Sequence, residues 1–271
     1  MIEKIFSLIK LTFKEGVREK AILGIGLCAI IMMFASIVIV SFFLRELHKV
    51  AVDINLSSIN LAGLLLTFFV SVNLIDKDID KHTIYCVLSK PFSRFEYILG
   101  KYLGLMLIIV TAFCILTMCS TITIFILKSQ YTTWFSKFLW IEFYKAIYAG
   151  LLMFFILNAI VIFFSTITTS SFITLLLSIL TYIAGQSIEE AVIFLKTSSA
   201  KEMVISQSID KLINIIQYIL PNLSVFDLNI QASHAIIISN NYIIAITFYA
   251  LVYTCVLITA ASMIFNKKEL A

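Results

Sequence analysis

From Ala146 to Ile188 the chain carries no charged residue. A helix crosses about 30 Å of hydrocarbon with about 20 apolar residues, so this run is about two spans long. The polar stretch "STITTSS" at 165–171 divides it and reads as a tight turn between spans at about 146–165 and 171–188. Four more runs are long enough to cross, at about 21–44, 56–75, 102–127 and 239–265. Hydrophobic residues make up 61% of the chain and charged residues 13%, against about 25% charged in a soluble domain. A soluble core of this size could not hide that much apolar surface. The expected fold is an all-α polytopic membrane protein with six transmembrane helices, organised as one domain over 1–271.

Lysine and arginine set the expected orientation, because cytoplasmic loops hold the excess of basic residues. With the N-terminus inside, the segments 1–20, 76–101, 165–171 and 266–271 face the cytoplasm and carry 12 of the 20 basic residues. Both termini are then cytoplasmic. The first apolar run is too long for a cleaved signal and no A-x-A site follows it.

Three segments lie beside the spans. In the leader 1–20, Ile2, Ile5, Phe6, Ile9, Phe13 and Val17 recur at helical spacing, while Lys4, Lys10, Lys14 and Arg18 fall on other faces. That pattern predicts a basic amphipathic helix in the inner headgroup layer. The extracytoplasmic segment 189–238 is too long for a simple connector. Its Ile205, Ile209, Leu212, Ile213, Ile216 and Leu220 predict a second amphipathic helix, stopped by Pro221 and acting as a lid. The third segment is "DKDIDKHTIYCVLSKPFSRFEYILGKYLG" at 76–104. Ile75, Ile79, Thr83, Ile84, Val87 and Leu88 share one side of a short helix, while Asp76, Asp78, Asp80 and Lys81 stay wet. Pro91 ends that helix, since the residue before proline is pushed out of the α region. Ser93 and Glu96 then have capping-box spacing, and Phe92 can staple onto Tyr97. The result is a rigid corner leading into the third span.

None of the six expected spans contains Asp, Glu, Lys, Arg or His. Ion-coupled transporters usually place such groups at membrane depth, so a secondary transporter is disfavoured. His48, His82 and His234 are isolated, and the five cysteines form no CxxC pair, so no metal site is expected. The paired carboxylates of "EEAVIFLK" at 189–196 read as a solvated helix end, not an intramembrane protease site. No G-x-x-x-x-G-K-[ST] phosphate loop occurs, so ATP hydrolysis by that route must come from elsewhere. The chain has a bundle and a rigid cytoplasmic knee but no engine.

The knee resembles the segment after the second span in permeases of type-2 ABC transporters, most closely those of copper-enzyme maturation (nitrous-oxide-reductase assembly). Thr83-Ile84, Ser89-Lys90-Pro91, Arg94, Gly100-Lys101 and Gly104 match that pattern, and Asp78 stands where the family usually has Glu. "LPNLSVFDL" at 220–228 and "TFKEGVREK" at 12–20 also look like family elements. The resemblance implies an exporter permease with a coupling helix between spans two and three that docks on a separate ATPase subunit. It also implies two ATPases and two permeases, identical or homologous, in a bacterial inner or plasma membrane. ATP and Mg would then be bound by the partner, with no cofactor in this chain, no nucleic-acid partner, and membrane lipids as the surroundings. The candidate coupling residues are Asp76, Asp78, Asp80, Lys81, His82, Thr83, Leu88, Pro91 and Arg94, with Lys14, Arg18 and Lys101 as interface anchors. A transporter further predicts a polar track between subunits, for which Tyr148, Asn158, Ser165, Thr174, Ser178 and Tyr182 are candidates. A non-transporting scaffold or assembly factor would instead keep a dry interface. Substrate is not legible, with lipids, hydrophobic peptides, amphipathic drugs and a small sulfur species all compatible.

Overall fold

The apolar runs fold as helices that extend past the runs themselves. Each backbone carbonyl in a helix is satisfied by the same chain, so the ladder can continue through charged turns beyond the hydrocarbon. The computed structural model describes residues 2–42, 46–75, 93–196 and 220–267. Among them are eight α-helices: α1 Ile2–Val17, α2 Lys20–Ser41, α3 Leu47–Leu65, α4 Arg94–Gln130, α5 Trp140–Ile167, α6 Ser171–Lys196, α7 Asn229–Ser233 and α8 Asn240–Lys267. A π-helical segment, Leu66–Ser71, carries α3 on without a break to Ile75. Six of these helices are long and apolar enough to cross a membrane.

The second and third crossing helices differ most from the expected spans. The second begins at Leu47, nine residues before the apolar run, and so includes His48 and Asp53. The third begins at Arg94 and ends at Gln130, taking in Glu96, Lys101 and Lys128. Its 37 residues reach about 55 Å, well beyond a hydrocarbon core of about 30 Å. The surplus forms a foot at the N-terminal end of α4. Just before α3, a hydrogen bond from Lys49 and its positive charge hold the Glu46 carboxyl below the usual range.

Helix α5 is the centre of the bundle. Phe143, Phe154, Ile156, Leu157, Ala159 and Val161 are fully buried there, against α3, α4, α6 and α8. Helix α3 runs parallel to α5: a Cβ on Gly150 would meet Asn60 Oδ1 at 2.8 Å, and one on Gly63 would meet the Phe154 ring at 2.5 Å. The outward residues are apolar, such as Leu23, Leu27, Ile31 and Val38 of α2, Met118 and Phe125 of α4, and Phe248 and Val256 of α8. Such faces suit lipid chains.

The foot of α4 is occupied by α1. Leu8, Thr12 and Gly16 descend one side of α1 at four-residue steps and meet Gly100, Gly104 and Ile108 at the same steps on α4. A Cβ at Gly104 would lie 2.6 Å from Thr12 Cβ, and one at Gly100 would lie 2.7 Å from Leu8 Cδ2. The two helices therefore touch backbone to side chain, as small-xxx-small sequences allow. The apolar face expected of α1 is the adjacent one, and its Phe6 and Val17 remain exposed. Lys14 and Arg18 are exposed as well.

Candidate functional site

Local chemistry positions the start of α4. Ser93 has extended backbone, and its Oγ accepts from the Glu96 N–H at 3.2 Å while Glu96 Oε2 accepts from the Ser93 N–H at 2.8 Å. This is the expected capping box, and it satisfies two amide groups that the helix cannot. One residue on, Arg94 Nη1 donates to the carbonyls of Phe265 at 2.6 Å and Asn266 at 3.1 Å. Its guanidinium stands 5.7 Å from the Phe265 ring, and Tyr97 stacks on that ring at 5.9 Å. Arg94 thus closes the open carbonyl end of α8 with the charge that a helix C-terminus attracts. Lys101 turns inward: its side chain is 4% exposed and its Nζ stands 3.7 Å from Glu15 Oε2 of α1. The first turns of α4 are therefore tied to α8 by one cation and to α1 by another.

Of the coupling residues expected from sequence, Asp76, Asp78, Asp80, Lys81, His82, Thr83, Leu88 and Pro91 lie outside the described residues, as does Phe92. The amphipathic lid helix expected over 205–220 also falls outside them, apart from Leu220. The chain from Pro221 onward is well tied. Leu223 N–H donates to Gly185 O at 3.0 Å, Asn222 N–H to Tyr249 Oη at 2.9 Å, and Tyr242 Oη to Val225 O at 2.6 Å. Glu142 Oε2 accepts from Ile238 N–H at 2.9 Å, and Lys145 donates both to Glu142 Oε1 at 3.1 Å and to Ile238 O at 2.6 Å. Segment 220–239 is thereby laid across the end of the bundle opposite α1.

The expected polar-track residues separate into two groups. Tyr148 faces α8, where its hydroxyl lies 3.1 Å from Thr247 Oγ1. Asn158, Ser165, Thr174 and Ser178 are buried inside the bundle. Ser178 Oγ donates to Thr174 O at 2.7 Å and Ser165 Oγ to Ile162 O at 2.7 Å, so these hydroxyls are satisfied by their own helices. Asn158 differs: neither of its side-chain polar atoms finds a hydrogen-bond partner among the described residues, and the same holds for Thr67 Oγ1. The contacts of Asn60 with Gly150 and of Gly63 with Phe154 set the register of α3 on α5. Thr67 itself lies within the π-helical segment. Such segments occur often at functional positions.

At the Asn60–Gly150 register lies a cavity of about 350 Å³, and of the residues that line it sequence reading had named Tyr182 alone. Ser57, Asn60, Leu61 and Leu64 of α3, Gly150 and Met153 of α5, Tyr182 and Gln186 of α6, Met32 of α2, and Phe226, Asp227 and Asn229 line it. Tyr182 also packs edge-on against Phe68, with ring centroids 6.0 Å apart. The sequence did hold a signal, since Asn60 and Gln186 interrupt otherwise apolar stretches. Polar groups of α3, α5 and α6 thus meet at this cavity, inside the chain.

A model of the family described as ABC-2 family transporter protein matches residues 6–270. No curated protein matches the chain.

Proposed function

Because the chain belongs to the ABC-2 family of transporter proteins, we propose that it is the permease of an ATP-driven exporter whose coupling segment is 76–91. The membrane component of this family associates with an ABC ATPase, which binds and hydrolyses the ATP, and carries no cofactor of its own. On this reading the end bearing α1 faces the cytoplasm, and Asp76, Asp78, Asp80, Lys81, His82, Thr83 and Leu88 meet the ATPase, with Pro91 as the rigid corner. Two permeases and two ATPases make the working unit. Within the family we assign the chain to the branch resembling the copper-enzyme-maturation permeases, on the knee residues alone.

The observation that carries the reading is the tethering around Ser93. The segment 76–92 joins the end of α3 to a capped helix start, and Arg94 and Lys101 bind that start to α8 and α1. A push on the segment would move α4 together with both neighbours, because a capped helix with tied flanks moves as a body. The test is co-purification in mild detergent with ATPases encoded nearby, comparing the wild type with Asp78→Lys/Asp80→Lys. An ATPase retained by the wild type and lost from the variant, at an unchanged melting midpoint, is the expected result. Equal retention, or no ATPase bound to either, would overturn the assignment of the knee.

A further inference from the structure

We infer that the cavity between α3, α5 and α6 is a binding site for an amphiphilic organic cation. The argument begins with charge. Asp227 is the one charged residue in the lining, and no cation lines the cavity among the described residues. Asp227 is exposed, and one of its oxygens caps the Asn229 N–H at 3.2 Å. Asp53 lies within electrostatic range of it, and Glu189 accepts a hydrogen bond from Ser224, two residues before Phe226. Lys145 and Lys49, at the same end, are already engaged by Glu142 and Glu46. The local field therefore attracts positive charge.

Shape and polarity narrow the ligand further. Tyr182 and Phe226 supply aromatic rings to the lining and Met32 and Met153 supply thioethers, which suit a soft cation. The Asn60 amide donates to Asn229 Oδ1 at 3.3 Å, and the missing side chain of Gly150 lets its Oδ1 lie against α5. The Gln186 amide donates to Met153 Sδ at 3.4 Å, a weak acceptor, and also hydrogen-bonds the Tyr182 side chain, which holds that ring at the cavity wall. On the opposite side Met32 and Leu61 are exposed on the lateral, lipid-facing surface. A ligand with an ammonium head toward Asp227 and an apolar body toward α2 and α3 would satisfy each of these groups. The volume of about 350 Å³ falls in the range of small-molecule sites.

The site belongs to this chain alone, so its test needs no ATPase, and failure of the coupling reading would leave it untouched. The purified chain in lipid nanodiscs is titrated calorimetrically with benzyltrimethylammonium, against empty nanodiscs and against neopentylbenzene, its uncharged isostere. The expected result is saturable binding of the cation only. Asp227→Asn should weaken it about fivefold, the size of one exposed ion pair. Tyr182→Leu should weaken it by a similar factor, and Tyr182→Phe, which keeps the ring, should return it to within about twofold. Glu3→Gln removes the same charge at the opposite end, on α1, and should change nothing. The proposal is overturned if the wild type does not bind, if the neutral isostere binds as tightly, or if Asp227→Asn and Tyr182→Leu both match the wild type.

Discussion

Ser93 shows how far one residue can be read. A serine followed three positions later by glutamate offers both halves of a reciprocal cap, and the geometry is local enough to form whatever surrounds it. Replacing Ser93 by Ala removes the acceptor for the Glu96 N–H and should cost about 1 kcal/mol, read as a lower melting midpoint in detergent. Ser93→Asp should retain most of it. Arg94, its neighbour, is legible only as a basic residue near a corner. Its partners are carbonyls more than 170 positions away, and no local pattern encodes the end of α8. Arg94→Met keeps the stem against Phe265 and loses the charged hydrogen bonds. It should cost about 1–2 kcal/mol, discounted for partial exposure, and a shortfall would mean that water serves those carbonyls equally well.

At the level of elements, hydropathy located all six crossing helices because lipid punishes any other backbone arrangement. It mislocated their ends, since helical hydrogen bonding does not stop where charge begins. The start of α4 was legible all the same, because the Ser93–Glu96 cap marks it apart from hydropathy, whereas the start of α3 at Leu47 carries no such sign. The mode of α1 docking was missed on a different ground. Periodicity finds apolar stripes, and the stripe that docks is Leu8, Thr12 and Gly16, set by small size and not by hydropathy. Gly100-x-x-x-Gly104 was the available sign. The contact makes a sharp contrast between glycines. Gly104→Ala pushes a methyl against Thr12 and should lower the melting midpoint by several degrees, whereas a Cβ on Gly26 meets nothing within 4 Å, so Gly26→Ala should be silent. Adding Thr12→Gly to Gly104→Ala should recover part of the loss, though Ile9 O remains 3.3 Å from the new methyl. No recovery would mean that α1 is held by something other than this seam.

For the whole molecule, the question is where polarity goes. A transporter is expected to place a polar track between subunits; within the chain, α3, α5 and α6 carry a buried polar set that includes Asn55, Thr67, Asn158, Thr174 and Ser178. Asn158 is its most expensive member. A buried amide without partners costs about 1–3 kcal/mol by mutational measures, and leucine fills nearly the same volume at no such cost. Asn158→Leu should therefore raise the melting midpoint by a few degrees. A residue kept against stability argues for a use that stability does not measure. With the ATPase bound, the same variant should lower ATP turnover, because α5, which packs against the π-helical segment, would lose its buried amide. A fall in both quantities would make the amide structural, held by partners that outweigh its burial. A rise in stability with unchanged turnover would remove Asn158 from the working parts and leave the cavity between α3, α5 and α6 as the functional centre.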